Sequence, residues 1–153
     1  MSRSRPAPLT FLAVACLAGC TVGPNTSYIA ALRQPADAEV LAGGMAVFVS
    51  LQLPAASTAI ILDPPSYFQS GSVLIPALTL ALRHHGFAVA EDAQPLLSNA
   101  HHVRYLVTPL DNGDLVRVTI DGSTEGSRLY VRNTAGGLQA GGPFTLTRAE
   151  AVR

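Results

Sequence analysis

Two pairs of adjacent histidines are the residues of this chain best suited to chemistry. His84 and His85, and then His101 and His102, each stand just before a segment that we expect to be a strand. If those strands were parallel neighbours, the imidazoles could meet at one edge of the sheet and bind zinc or copper. Against this, adjacent residues on a helix point about 100° apart, and no carboxylate stands at ligand spacing beside them. We therefore expect a helix-capping role for His84 or His85, a solvated loop for His101 and His102, and no bound metal or other cofactor.

Acidic and glycine-rich segments later in the chain offer two weaker candidates for a binding site. Four carboxylates flank a predicted hairpin, namely Asp111, Asp114, Asp121 and Glu125. They would bind calcium only if the loops happened to bring them together. Two glycine pairs, at 136–137 and 141–142, have no helix after them, whereas a phosphate-binding glycine loop leads into a helix N-terminus. We expect solvated turns at all of these positions.

Residue sets typical of enzymes are missing from the sequence. It contains no G-x-S-x-G, H-E-x-x-H, C-x-x-C or G-x-x-x-x-G-K pattern. All ten basic residues are arginine, so a Schiff-base lysine and a P-loop lysine are both excluded. The chain is therefore expected not to be an enzyme.

The composition indicates one packed domain. The chain has 153 residues, of which 48% are hydrophobic and 13% are charged, so it can bury a core and is not disordered throughout. Ten basic residues balance ten acidic residues, and no dense basic block is present. Nucleic-acid binding is therefore not expected, because a protein that grips a phosphate backbone carries a basic patch.

The N-terminus has the features of a bacterial lipoprotein signal peptide. Two arginines precede an apolar stretch at residues 9–17, which is shorter than the roughly 20 residues of a transmembrane helix. Residues 17–20, Leu-Ala-Gly-Cys, resemble a lipobox, in which Cys20 is acylated and becomes the first mature residue. The resemblance implies a diacylglycerol thioether and an amide-linked fatty acid such as palmitate on Cys20. Thr21 then holds the sorting position, where it favours the outer membrane. An ordinary secretory signal with a chance cysteine is the alternative.

Processing at Cys20 divides the chain into three parts. Residues 1–19 are the signal peptide, residues 20–34 a lipidated tether, and residues 35–153 a periplasmic domain. Loss of the signal, which contains two of the ten arginines and no acidic residue, leaves 134 residues with a formal charge of −2. Cys16 leaves with the signal, so the mature chain keeps only the lipidated Cys20 and has no disulfide.

The tether contains an apolar cluster that interrupts its turn-forming sequence. The cluster consists of Tyr28, Ile29 and Leu32. It is either the first contact of the tether with its own domain or a docking peptide for a partner protein. Both interpretations stay open from the residues alone.

The first element of the domain is ambiguous in its second half. Pro35 at a first-turn position and apolar residues at helical spacing predict a helix that ends before Pro54. Gly43 and Gly44 oppose it, because each glycine costs about 1 kcal/mol relative to alanine inside a helix. Residues 45–53 are therefore either the end of this helix, which we favour, or a strand after a Gly-Gly turn.

A strand, a helix and a strand follow as one β-α-β unit. Residues 57–62 form a β-branched run that is typical of a buried strand. The apolar spacing predicts a helix that begins at residues 74–75, because Pro76 is tolerated only in the first turn. Gly86 can take the left-handed conformation that ends a helix, and residues 87–91 form the second strand.

The remainder of the chain predicts an antiparallel meander. Strands are expected at residues 103–110, 115–121, 128–133 and 143–147, with a hairpin turn at 111–114. Alternation puts six apolar residues of the first two strands on the inner face, namely Val103, Tyr105, Val107, Val116, Val118 and Ile120. Four arginines are expected on the outer face, namely Arg104, Arg117, Arg128 and Arg132. The predicted fold class is α+β, with two helices packed on a mixed sheet in a single domain.

Several short segments occur together in one order along the chain. They are residues 54–58 (PAAST), 78–89 (LTLALRHHGFAV), 117–120 (RVTI) and 127–130 (SRLY), with the lipobox and the Tyr105 strand. Taken in that order, they resemble the TrbH family, small lipoproteins of conjugal-transfer type IV secretion systems. The resemblance covers most of the mature chain and implies an outer-membrane lipoprotein of the mating-pair formation apparatus. Its implied partners are protein subunits of the envelope-spanning channel. It implies no catalytic residue, so only the lipidated Cys20 is transferred by position. The Gly43–Gly44 pair inside the expected first helix departs from the family pattern.

A second class of function is also compatible with the residues. A lipoprotein regulator that reaches across the periplasm to activate a cell-wall synthase can be built on a similar strand-helix-strand core. In either class the domain would dock a partner or pair edge to edge into an oligomer. A lipid tether would raise its local concentration at the membrane.

Overall fold

Two helices and eight strands make up the described part of the chain. The computed structural model describes residues 27–29, 32, 34–63, 65, 73–90 and 99–148. In chain order the elements are β1 (Tyr28–Ile29), α1 (Pro35–Gln52), β2 (Ala59–Leu62), α2 (Leu74–His84), β3 (Ala88–Ala90), β4 (Ala100–Leu110), β5 (Gly113–Ile120), β6 (Thr124–Arg132), β7 (Leu138–Ala140) and β8 (Thr145–Arg148). A short 3-10 turn at Ala55–Ser57 precedes β2. These elements confirm the predicted α+β fold.

One mixed sheet carries both helices. Its strands run in the order β3-β2-β4-β5-β6-β7, while β1 also pairs with β4 and β8 with β6. Pairing is parallel among β1, β2, β3 and β4, and antiparallel from β4 onwards. The predicted β-α-β unit is β2-α2-β3, and the predicted meander starts at β4. Strand β7 is not among the predicted strands, and β6 starts at Thr124 instead of the predicted residue 128.

The first helix continues through the ambiguous residues 45–53 as far as Gln52. At its start, the Asp37 carboxylate accepts a hydrogen bond from the backbone N–H of Gln34 at 3.1 Å, next to backbone donors that a first turn leaves free. Eight of its residues are buried, namely Asp37, Ala38, Leu41, Ala42, Met45, Ala46, Phe48 and Val49. The helix interpretation is confirmed and the strand alternative is wrong. Burial of these eight residues outweighs the low helix propensity of the two glycines.

The two glycines of α1 differ in their surroundings. A Cβ on Gly44 would overlap the phenol oxygen of Tyr130, so glycine lets this tyrosine reach the helix backbone. On the sheet, Gly126 of β6 leaves space for a side chain of the helix, because a Cβ there would overlap the ring of Phe48 from α1. Gly43, in contrast, has no described atom within 4 Å of such a Cβ. The close contact between α1 and β6 thus explains why residue 44 is a glycine, but it does not explain the glycine at position 43.

The apolar cluster of the predicted tether belongs to the domain. Tyr28 and Ile29 form β1, which pairs in parallel with β4, and Ile29 is 4% exposed. Leu32 packs partly buried against the core. The cluster is therefore a contact of this segment with its own domain and not a free docking peptide. Residues 27–29, which lie in the predicted tether at residues 20–34, thus pair with other parts of the fold.

The second helix has the limits that the sequence predicts. It begins at Leu74, with Pro76 in its first turn, and ends at His84. Gly86 follows with a φ of +89°, the left-handed conformation that glycine readily adopts after a helix. Leu78 is fully buried, and α2 lies beside α1 on the sheet.

The inner faces of β4 and β5 carry the predicted residues. The two arginines of β6, in contrast, do not face outward as predicted. Six inner residues are 3% exposed or less, namely Val103, Tyr105, Val107, Val116, Val118 and Ile120. Arg128 lies opposite Val116 in the β5–β6 register, so it faces inward. Arg132 lies on the same inner face, and its side chain is only 9% exposed. The prediction of an outward face is therefore wrong for these two arginines, while Arg104 and Arg117 lie on the outer face.

The inward guanidinium of Arg128 lies among aromatic rings. Its Cζ is 5.3 Å from the ring centroids of both Tyr130 and Phe144, and the rings of Phe144 and Phe48 are 4.8 Å apart. The faces of these rings attract the cation, which stabilises it partly out of water. Burial raises the pKa of the Tyr130 phenol, and the positive charge of Arg128 offsets part of that rise. This cluster joins α1 to β6 and to the segment that leads into β8.

Candidate functional site

The first histidine pair lies where α2 ends. His84 is the last residue of the helix, and His85 follows as its C-cap, donating its backbone N–H to the carbonyl of Ala81 at 3.1 Å. The two rings are 6.4 Å apart and nearly perpendicular. Both residues are exposed. Their position suits a cation at the negative end of the helix dipole.

The second histidine pair lies within β4, and the prediction of a solvated loop is wrong. The strand extends back to Ala100 because β2 pairs with it there. Nδ1 of His101 is 2.5 Å from Oδ2 of Asp121, and Nδ1 of His102 is 2.9 Å from Oδ1 of Asp63. Adjacent residues of a strand point to opposite faces, so the two rings do not turn to a common ion.

The two histidine pairs do not lie on neighbouring parallel strands. The first pair precedes β3 and the second pair lies in β4. Both strands are parallel to β2, but β2 lies between them. Within the described ranges, no three histidine, cysteine or acidic residues are grouped so as to hold a metal ion. Each imidazole of the second pair instead contacts one carboxylate, which orients the ring.

The acidic residues of the predicted hairpin are dispersed. Asp111 is exposed in the turn between β4 and β5, and Glu125 forms an ion pair with Arg117 at 3.2 Å. Asp121 contacts His101, and its Oδ1 also accepts the backbone N–H of His102 at 2.9 Å. Asp114 is 4% exposed. The prediction that it is a solvated turn residue is therefore wrong. These contacts hold strands together and do not form a calcium site.

A buried ion pair between α1 and β6 is the strongest electrostatic feature of the described chain. Arg132 donates from Nη1 to Oδ1 of Asp37 at 3.2 Å and from Nη2 to Oδ2 at 2.6 Å. It also donates to the carbonyl of Gly136 at 2.9 Å, and Asp114 lies 3.9 Å away. The hydrogen bonds that Arg132 donates to Asp37 raise the pKa of Arg132 further above its ordinary high value. No local pattern in the sequence predicts this pair, because 95 residues separate its members.

The ion pair positions the start of α1 and does not resemble a catalytic group. The Asp37 side chain is 1% exposed and that of Arg132 is 9% exposed, so solvent and substrate have little access to either. Two parallel N–H···O bonds fix the orientation of both groups. The pair therefore fastens the first turn of α1 to the end of β6.

A shallow pocket of about 280 Å³ lies beside β6 on the far side of the sheet. Its lining includes Leu115, Leu129 and the glycines at 141–142. Ser127, Arg128 and Thr145 are also among the lining residues. No carboxylate, imidazole or thiol belongs to this lining, so the pocket lacks a general base or a metal ligand.

Ser27 fastens the start of β1 to the sheet. Its hydroxyl donates a hydrogen bond to the Asp63 carbonyl at 2.8 Å and accepts one from the Tyr105 N–H at 3.2 Å. Ser27 is 1% exposed. Cys20, the predicted lipidation site, lies outside the described residues, seven positions before Ser27. In the described ranges, no helix has the length and apolar character needed to cross a membrane.

Comparison with known proteins gives one finding. The family model for conjugal transfer protein TrbH matches residues 21–150. Searches of curated proteins and of solved structures found no match. All four segments whose order resembles TrbH lie inside the matched range, which covers most of the chain. The chain therefore belongs to the TrbH family of conjugal transfer proteins.

Proposed function

We propose that this conjugal transfer protein is a non-catalytic subunit of the envelope-spanning transfer channel, anchored in the outer membrane by lipid on Cys20. The extent of the family match carries the proposal. The match begins at Thr21, directly after Cys20, and continues to residue 150. The whole match therefore lies inside the mature chain that the lipobox predicts, which is compatible with Cys20 as the first residue of the mature protein.

The short connection between Cys20 and the domain supports a role close to the membrane. Ser27 is held in the sheet by two hydrogen bonds. The seven residue-to-residue steps from Cys20 to Ser27 span at most about 25 Å when fully extended. A lipid on Cys20 would therefore keep the domain within that distance of the bilayer. This reach suits a subunit built into a membrane-bound channel.

The same distance argues against a regulator that reaches across the periplasm. Such a regulator needs a long tether or an extended domain. Here the residues that could have lengthened the tether, Tyr28 and Ile29, are used as a strand of the sheet. The proposal therefore favours a partner beside the outer membrane over a cell-wall synthase beyond it.

The use of the ionisable side chains supports a structural role. Asp37 pairs with Arg132, Glu125 with Arg117, and carboxylates orient the two histidines of β4. The Arg117–Glu125 contact joins the consecutive strands β5 and β6, and the other three join residues that lie 20 or more positions apart. None of them combines a nucleophile with a base in an accessible cleft, which an acyl- or phosphoryl-transfer site requires.

Two cysteine variants test the anchor. Cys20→Ser removes the acceptor of the lipid, whereas Cys16→Ser changes a cysteine of the signal peptide that is lost on processing. We expect labelled palmitate to appear on the wild-type and Cys16→Ser proteins in the outer-membrane fraction, and to be absent from Cys20→Ser. Palmitate on Cys20→Ser, or outer-membrane recovery of that variant at the wild-type level, contradicts the proposal.

Capture of the protein from detergent-solubilised outer membranes tests the partner. We expect subunits of the transfer channel among the captured proteins. Capture of a peptidoglycan synthase without any channel subunit would instead support the regulator.

A further inference from the structure

The outer face of the sheet, on the side away from both helices, has an apolar half. Leu106 lies between two residues of β4 that face the core, so it faces outward together with every second residue after it. The strand registers continue these outward positions onto β1, β5 and β6. The part nearest the β4–β5 turn forms what we call the outer patch, which consists of Tyr28, Leu106, Thr108, Leu110, Leu115, Leu129 and Val131.

The outer patch is exposed and carries no charge. Tyr28 is 40% exposed, Leu110 42% and Leu129 43%. The charged residues of the outer face lie elsewhere, because Arg117 borders the patch and Glu125 lies beyond it on β6. An uncharged surface of aliphatic side chains with a tyrosine suits the boundary between water and lipid, where tyrosine is enriched.

We propose that the outer patch lies on the phospholipid surface in which Cys20 anchors the protein, so that the two helices face away from the membrane. The inference rests on the proposed function, because the anchor at Cys20 is what brings the domain to lipid. It adds an orientation to that function. The helical side of the domain is then the side that is open to other subunits.

The point at which the tether meets the fold supports this orientation. The described chain begins at Ser27, at most about 25 Å from Cys20, and the next residue, Tyr28, already belongs to the outer patch. With the outer face on the bilayer, β1 lies in the layer of the domain nearest to the lipid. In the opposite orientation the helices lie between β1 and the lipid. Since a helix with its side chains is about 10–12 Å across, the tether would use about half of its length to pass them.

The tether also makes contact by a small patch sufficient. The outer patch extends about 14 Å across four strands and about 13 Å along them. Because binding to a lipid surface scales with the apolar area buried, a patch of this size holds a free domain only weakly. A lipid on Cys20 makes the contact intramolecular and raises the effective concentration of lipid at the patch.

Tryptophan fluorescence of the full-length lipidated protein in vesicles tests the orientation. The chain contains no tryptophan, so an introduced one is its only indole. Leu129→Trp and Leu110→Trp place it on the outer patch. Val47→Trp is the matched control, because Val47 is also 43% exposed but lies on α1. Each variant is reconstituted into phosphatidylethanolamine–phosphatidylglycerol vesicles, with and without brominated acyl chains that quench indole on contact.

We expect brominated lipid to lower the emission of Leu129→Trp and Leu110→Trp and to leave that of Val47→Trp unchanged. The emission maximum of the two patch variants should also shift to shorter wavelength when they move from detergent into vesicles. Thermal melting in detergent checks that all three variants are folded. The second patch variant keeps the test valid if Leu129→Trp does not fold.

Equal quenching of the patch variants and Val47→Trp would overturn the inference, as would quenching of Val47→Trp alone, which assigns the helical side to the bilayer. Absence of quenching in the folded patch variants, on vesicles that carry the protein, overturns it as well. The palmitate label separates this result from the proposed function. If Cys20 carries label and the patch variants are not quenched, the orientation is wrong and the anchor stands. If the label is absent, the proposed function itself fails.

Discussion

The contrast between Gly43 and Gly44 allows a sharp test of how α1 lies on the sheet. The two residues are adjacent in one helix, so replacing either with alanine gains the same helix propensity, about 1 kcal/mol. Their surroundings differ. A Cβ on Gly43 meets no described atom within 4 Å, whereas a Cβ on Gly44 would overlap the Tyr130 phenol.

The structure therefore predicts opposite effects for the two alanine variants. Gly43→Ala should stabilise the unlipidated mature domain by about 1 kcal/mol, which raises its melting temperature by roughly 3–5 °C. Gly44→Ala gains the same propensity but must displace a ring that is 1% exposed. Overpacking of this kind costs about 1–3 kcal/mol. We expect Gly44→Ala to be less stable than Gly43→Ala by that amount.

A third variant identifies the cause. In Tyr130→Phe the phenol oxygen is gone, and the nearest remaining atom, Cζ, is 3.0 Å from the Cβ position of residue 44. Gly44→Ala should therefore be tolerated better with Tyr130→Phe than with tyrosine, a coupling of about 1 kcal/mol in a double-mutant cycle. Urea unfolding followed by circular dichroism measures all the free energies of unfolding. Equal stabilisation by both alanines, or zero coupling with Tyr130→Phe, would refute the close contact between α1 and β6.

Three further predictions concern charge and pH. Asp37→Ala should lower the free energy of unfolding by about 3–5 kcal/mol, because it leaves Arg132 buried without its partner. Urea unfolding measures this loss. A loss below about 1 kcal/mol contradicts the role of the pair. Glu125→Ala is its matched control: the Arg117–Glu125 side chains are 47% and 38% exposed, and breaking a pair of this kind loses at most about 1 kcal/mol. Burial raises the pKa of Tyr130 above its ordinary 10.0, so the folded protein keeps this proton where the unfolded chain releases it. Stability from this group is present below pH 10.0 and declines as the pH rises further. Tyr130→Phe should therefore lose less stability than wild type in alkaline unfolding titrations, and parallel pH curves for the two proteins count against it.

Local patterns predicted the second helix well because all its signals lie within a few residues. The apolar spacing from Leu74, the first-turn position of Pro76 and the terminal Gly86 agree with one another, and the structure has the same limits. The first helix was harder to predict. Its glycine pair opposes a helix locally, and the tyrosine that fills the space at Gly44 lies 86 positions further along the chain.

The errors on the sheet have a common origin in strand pairing. Which side an arginine of β6 faces depends on its register with β5, where Arg128 lies opposite Val116. That register cannot be deduced from the alternation of β6 alone. In the same way, His101 and His102 are strand residues because β2 pairs alongside them. The candidate lipidation site was accessible to sequence analysis because a lipobox is a continuous motif, whereas the Asp37–Arg132 pair is formed by the fold.

We propose that this TrbH protein works from a lipid anchor at Cys20. Transfer frequency from donors that carry a single copy of the gene tests this role most directly, with Cys16→Ser as the control. We expect Cys16→Ser donors to transfer at the wild-type frequency, and Cys20→Ser donors to fall to the frequency of donors without the gene. Wild-type transfer from Cys20→Ser donors, with the variant protein present at the normal level, would contradict it.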